Sequence, residues 1–94
     1  GFYENIPRML PEGLTAVINT KDIERPYIFD LIQEYGDIDT DEMYSTFNMG
    51  IGIVFVVGKD EIDDVLSFLN EKGEKGVLLG EIKSGEERVI LCHQ

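Results

Sequence analysis

The sequence predicts an α/β chain of the layered α+β kind, a mixed sheet flanked by helices in the order α-β-α-α-β-α-β-β. Three observations predict it. Apolar residues recur at helical spacing through 28–35 and again through 62–69. The run Ile51–Val57 is apolar on both faces, as a central strand requires. Two short β-prone runs, 77–83 and 88–92, flank a glycine-containing link near the end of the chain.

Each element has its own signal. Phe2, Ile6 and Met9 lie at helical spacing, but Pro7 interrupts them, so a short helix precedes Pro7 and a second turn follows it. Pro11 and Gly13 close that segment. Leu14–Asn19 (LTAVIN) reads as a strand. Pro26 suits a first helical position, Ile28, Leu31, Ile32 and Tyr35 make one stripe, and Gly36 supplies the stop. Asp39 or Thr40 caps a further short helix that runs to about Phe47, with Asp41 and Glu42 in its first turn. Ile51, Ile53, Phe55 and Val57 share one face of the next strand, which Gly58 ends. Asp60 is the expected N-cap of a helix bearing Ile62, Val65, Leu66 and Leu69, with Gly73 at its C-terminal end. Val77–Lys83 and Arg88–Cys92, joined through Ser84-Gly85-Glu86, are expected to pair as a hairpin.

The 94 residues suffice for one small domain, which buries roughly 60–65% of its unfolded surface. Nineteen acidic residues against eight basic ones give a net charge of −11. That balance disfavours nucleic acid and anionic membranes as partners. It also means that any anion site must use backbone N–H groups or cations from elsewhere. The single cysteine, Cys92, allows no intrachain disulfide and suits a cytoplasmic protein. No apolar run is long enough for a transmembrane helix. The opening GFYENIPRML has no Met and an apolar pattern already running at residue 2, so a piece of a longer protein is expected.

Catalytic constellations are sparse. His93, the only histidine, has no expected neighbours and reads as a frayed tail. Cys92 reads as a packing residue. Asp39, Asp41 and Glu42, like Asp63 and Asp64, read as helix-start and solvent-face acids; no spacing matches a zinc or calcium loop, and no metal site is expected. Two segments remain. In NMGIG (48–52), Gly50 and Gly52 open a notch beside the strand and Asn48 adds an amide; the other reading is close packing of a helix on the sheet. In ENIPR (4–8), Glu4, Asn5 and Arg8 cluster a carboxylate, an amide and a guanidinium on one short turn; the other reading is capping with a surface ion pair.

Taken together, ENIPRMLPEGL (4–14) and DEMYSTFNMGIGIVFVV (41–57) resemble the C-terminal half of the aminoimidazole ribonucleotide (AIR) synthetase family, also called phosphoribosylformylglycinamidine cyclo-ligases or PurM. Pro26, Ile28 and Phe29 match the family's middle helix, LLGEI (78–82) its late strand, and Gly1 the last residue of a glycine triplet. The resemblance covers almost the whole chain, as a single partial domain, 1–94. It implies an ATP- and magnesium-dependent ring closure in purine biosynthesis, converting formylglycinamidine ribonucleotide to aminoimidazole ribonucleotide. It also implies a separate N-terminal ATP domain, a homo-oligomer, and no ATP or metal bound by this piece alone. Asn5, Arg8, Asn48, Gly50 and Gly52 become candidate substrate- or phosphate-binding residues; no catalytic residue is assigned. Other ATP-dependent members of the superfamily, and a non-catalytic interaction module, are the competing readings.

Overall fold

The computed structural model describes residues 1–93. Helix α1 (Phe2–Asn5) passes directly into a 3-10 turn (Ile6–Met9), because Pro7 is accommodated in a first turn but not beyond it. Strand β1 (Leu14–Asn19) follows, then a 3-10 turn (Thr20–Asp22). Next come α2 (Tyr27–Gly36) and α3 (Thr40–Thr46), both close to their sequence-based bounds. The 3-10 turn Lys59–Glu61 leads into α4 (Ile62–Glu71), and β2 (Gly80–Ser84) and β3 (Val89–Cys92) complete the chain. The class is α/β with a mixed sheet, as expected.

Helix ends differ from expectation in detail. Gly36 is the last residue of α2, and Asp37 takes the left-handed position (φ 51°). The N–H of Ile38 donates to Gln33 O, closing the end as a glycine at that position would. Helix α4 starts from Glu61 rather than Asp60 and has no side-chain cap. Its other end is as expected: Gly73 has φ 79°, and Glu74 N–H donates to Leu69 O.

The sheet corrects the sequence reading twice. Its order is β2-β1-β3, with β1 antiparallel to β2 and parallel to β3. The last two strands therefore do not form a hairpin; β1 lies between them. A four-residue link suits either arrangement, because it also spans the roughly 9.5 Å across one intervening strand. The link crosses the start of β1: Gly85 N–H donates to Gly13 O, Thr15 Oγ1 to Glu87 O, and Ala16 N–H to Arg88 O. Inserted there, β1 is bonded along both edges and buries Thr15, Ala16 and Ile18.

The second correction concerns Ile51–Val57, which is not in the sheet. Both edges of β1 are taken, so a strand apolar on both faces finds no central position. Ile53 is 72% exposed and Phe55 62%. Phe55 and Val57 line a groove of about 420 Å³ with Val65, Phe68 and Leu69 of α4.

The core lies where α1, its 3-10 turn and α3 meet the sheet: Phe2, Ile6, Leu10, Ala16, Ile18, Ile23, Met43, Tyr44, Met49 and Val89. Tyr44 is fully buried, and Phe2 meets its ring edge-on at 5.2 Å. Neither α2 nor α4 contributes a fully buried residue. No helix among the described residues is long and apolar enough to cross a membrane.

Candidate functional site

The two segments singled out from sequence converge. Residues Gly1, Phe2, Asn5, Ile6 and Met9 from the start of the chain face Asn48, Ile51, Gly52, Ile53 and Val54 across a cleft of about 320 Å³. Asn5, Asn48 and Gly52 are thus brought together, while Arg8 and Gly50 are not among its lining residues.

Gly1 is placed by contact with α3. A side chain there would collide with the backbone of Tyr44 and Ser45, so the start of α1 lies directly against that helix. Its carbonyl accepts from both the backbone N–H of Asn5 (3.1 Å) and Asn5 Nδ2 (2.8 Å). The Asn5 side chain is thereby fixed by its own helix. Its Oδ1 has no protein donor among the described residues.

The opposite wall begins with a tight turn. Ile51 N–H donates to Asn48 O (2.9 Å), and Met49 (φ 53°) and Gly50 (φ 94°) are both left-handed. Two successive positive φ angles at the centre are the mark of a type I′ turn. Asn48 Oδ1 accepts from Gly50 N–H (2.9 Å), an Asx turn that leaves Nδ2 without a protein acceptor among the described residues. Met49 tolerates the strained conformation because its side chain is buried in the core.

The two glycines differ in kind. At Gly50 a Cβ would sit 2.6 Å from Pro26 Cδ, so this glycine serves both the turn and the approach of α2. At Gly52 nothing lies within 4 Å of where a Cβ would be. Close packing explains the first and not the second.

The cleft offers an amide acceptor, an amide donor, open backbone at Gly52 and a largely apolar lining. It has no carboxylate to hold Mg2+ and no lysine or arginine to meet a triphosphate, so its donor set does not fit either group. Helix α1 has only four residues and Asn5 stands at its C-terminal end, so the helix-start argument for a phosphate does not apply there. Arg8 is exposed on the following turn and makes no ion pair among the described residues.

Around the cleft lie contacts the sequence reading missed. The guanidinium of Arg88 donates to the carbonyls of Pro7, Leu10 and Pro11. His93, expected to fray, is docked. Its Nε2 is 3.0 Å from Asp41 Oδ1, its Nδ1 is 2.8 Å from Thr20 Oγ1, and its ring packs on Tyr44. Tyr3 donates to the same Asp41 oxygen (2.9 Å). The bonds from His93 and Tyr3 hold the Asp41 carboxyl below its ordinary range. Burial, with the neighbouring carboxylate, pushes the Tyr3 hydroxyl up to about 12. No local motif announces these partners, which are separated by 38 to 81 residues.

Residues 1–92 match the family described as AIR synthase related protein, C-terminal domain. The chain belongs to this family. It is 47% identical, over its full length, to the phosphoribosylformylglycinamidine cyclo-ligase of Alkaliphilus metalliredigens. It is 50% identical over 91 residues, 97% of this chain, to the enzymes of the same name from Staphylococcus saprophyticus and Pseudothermotoga lettingae. In each case it spans 27% of the relative's length. This member of the AIR synthase related C-terminal domain family thus has its two most distinctive sequence segments on opposite walls of one cleft.

Proposed function

We propose that this chain supplies part of the substrate-side cleft of a phosphoribosylformylglycinamidine cyclo-ligase. The reaction closes the imidazole ring of aminoimidazole ribonucleotide at the expense of ATP. The observation that carries the reading is the convergence of Asn5, Asn48 and the unobstructed Gly52 on one cleft.

The chemistry of that cleft selects which part of the substrate it meets. An apolar lining with one free amide donor and one free acceptor suits the uncharged, hydrogen-bonding part of formylglycinamidine ribonucleotide. Gly52 lets that part approach the backbone. Arg8, on the adjoining turn and unpaired among the described residues, meets the 5′-phosphate as a charged fork. In this reading the ring closure proceeds by transfer of a phosphoryl group from ATP to the formyl oxygen, followed by attack of nitrogen and loss of phosphate. Phosphoryl transfer needs charge neutralisation. A chain of net charge −11 whose cleft has no cation does not provide it, so ATP and Mg2+ are held by residues outside this chain.

The test is product formation by the full-length protein that contains this chain. Given formylglycinamidine ribonucleotide, ATP and Mg2+, it is expected to release aminoimidazole ribonucleotide, ADP and phosphate. Turnover with a different ATP-dependent substrate, and none with this one, would assign it elsewhere in the superfamily. Turnover with neither would leave an interaction module.

A further inference from the structure

The geometry points to Arg88 as a positioning residue for the cleft, acting from the sheet through the backbone of the turn that follows Asn5. The inference rests on the substrate-cleft reading above.

The 3-10 turn Ile6–Met9 ends at Leu10, whose N–H donates to Pro7 O (3.1 Å); that carbonyl keeps a second lone pair, and no helical N–H among the described residues reaches those of Leu10 and Pro11. Arg88 takes up three carbonyls of this stretch. Its Nη2 donates to Pro7 O (2.9 Å) and Leu10 O (2.6 Å), and its Nη1 to Pro11 O (3.0 Å). No carboxylate among the described residues forms an ion pair with Arg88, so the charge is committed to backbone acceptors. Charge-assisted bonds of this length are the strong ones, and a planar fork reaches several acceptors that a point charge does not.

The other end of Arg88 is rigid. Its carbonyl accepts from Ala16 N–H (3.0 Å), and Val89, the next residue, pairs with Ala16 and is buried in the core. The side chain is therefore a strut from the start of the edge strand β3, which is tied there to the central strand, to the turn. Ile6 and Met9 of that turn, and Asn5, which joins it to α1, line the cleft, and Arg88 does not. Proline at 7 and 11 stiffens the segment so held. Release of the strut leaves the turn free to shift on the sheet and carries Asn5 away from Asn48.

The experiment uses the full-length enzyme with Arg88→Lys, Arg88→Gln and, as a marker of the cleft itself, Asn5→Ala. Steady-state kinetics are measured beside thermal melting. Misplacement of a substrate-contacting group on the scale of an ångström is costly. Both Arg88 variants are therefore expected to raise KM for formylglycinamidine ribonucleotide on the order of tenfold, with KM for ATP within about twofold of wild type. KM is independent of the fraction of enzyme folded, so it separates positioning from loss of stability. Unchanged KM in both Arg88 variants, with KM raised by Asn5→Ala, overturns the role of Arg88 and leaves the cleft reading intact. Unchanged KM in all three overturns both. Failure of both Arg88 variants to fold makes the strut structural and also overturns the inference.

Discussion

Gly50 and Gly52 are two residues apart and look alike in sequence, yet only one is sterically constrained. Gly50→Ala meets a left-handed φ and Pro26 together, and is expected to destabilise the chain by about 1–3 kcal/mol. Thermal melting checks this; an unchanged Tm would mean that the turn tolerates a Cβ. Asn48→Ala removes the Asx bond to Gly50 N–H, with an expected loss of about 1 kcal/mol. The sequence led to this turn because glycine and asparagine have few reasons to precede an apolar run. It gave no sign that Met49 would share the left-handed conformation, which its burial in the core enforces. Arg88 was equally hidden, since its acceptors are main-chain carbonyls and carry no residue signature.

At the level of elements, local pattern was a good guide wherever the partner was also local. The stripes of α2 and α4, the short α3 and strand β1 were legible from spacing alone. Pairing was not. The link between β2 and β3 is compatible with a hairpin or a crossing, and only the presence of β1 between them decides. The two-faced apolarity of 51–57 reads as a central strand, but the three strands among the described residues do not include it, and most of its side chains stay exposed.

The Tyr3–Asp41–His93 cluster ties α1 and α3 to the residue after β3, and its titration follows from the shifts. Asp41 is held low by His93 and Tyr3, so its contribution is present above the ordinary carboxylate range and is lost as pH falls through its lowered native value. The stability difference between wild type and Asp41→Asn is therefore expected to shrink as pH falls below about 4, the ordinary carboxylate value, and to vanish only below the lowered native one. Tyr3, pushed up to about 12, contributes fully below its ordinary value near 10 and loses that contribution as pH rises towards 12. Tyr3→Phe is expected to flatten the alkaline arm of the denaturation curve over that interval. An arm as steep as that of wild type would place the cause in another group.

For the whole molecule, size and surface agree that the chain is built to be covered. Its radius of gyration is 14.1 Å, where about 12 Å is usual for 94 residues. Its accessible surface is 6799 Å², and a self-contained protein of this mass exposes about 5,500 Å². The excess, about 1,300 Å², exceeds the roughly 800 Å² that one partner buries in an ordinary interface. Ile53, Phe55, Val56 and Val57, with Phe68 beside them, are its most apolar part. By itself the chain is expected to self-associate through this face. Sedimentation should show dimers or larger species, shifted towards monomer by Phe55→Lys. A monomer at high concentration would contradict it. Calorimetry with ATP and Mg2+ is expected to show no binding to the chain alone, and micromolar affinity would mean that the cleft has been misread.

The most direct test of the cleft is Gly52→Val in the full-length enzyme, with KM for formylglycinamidine ribonucleotide and Tm measured on the same preparation. Open space at Gly52 predicts little change in Tm, while a side chain standing where substrate approaches raises KM on the order of tenfold or more. Unchanged KM, with or without a fall in Tm, would show that the substrate does not approach Gly52 and would contradict the account.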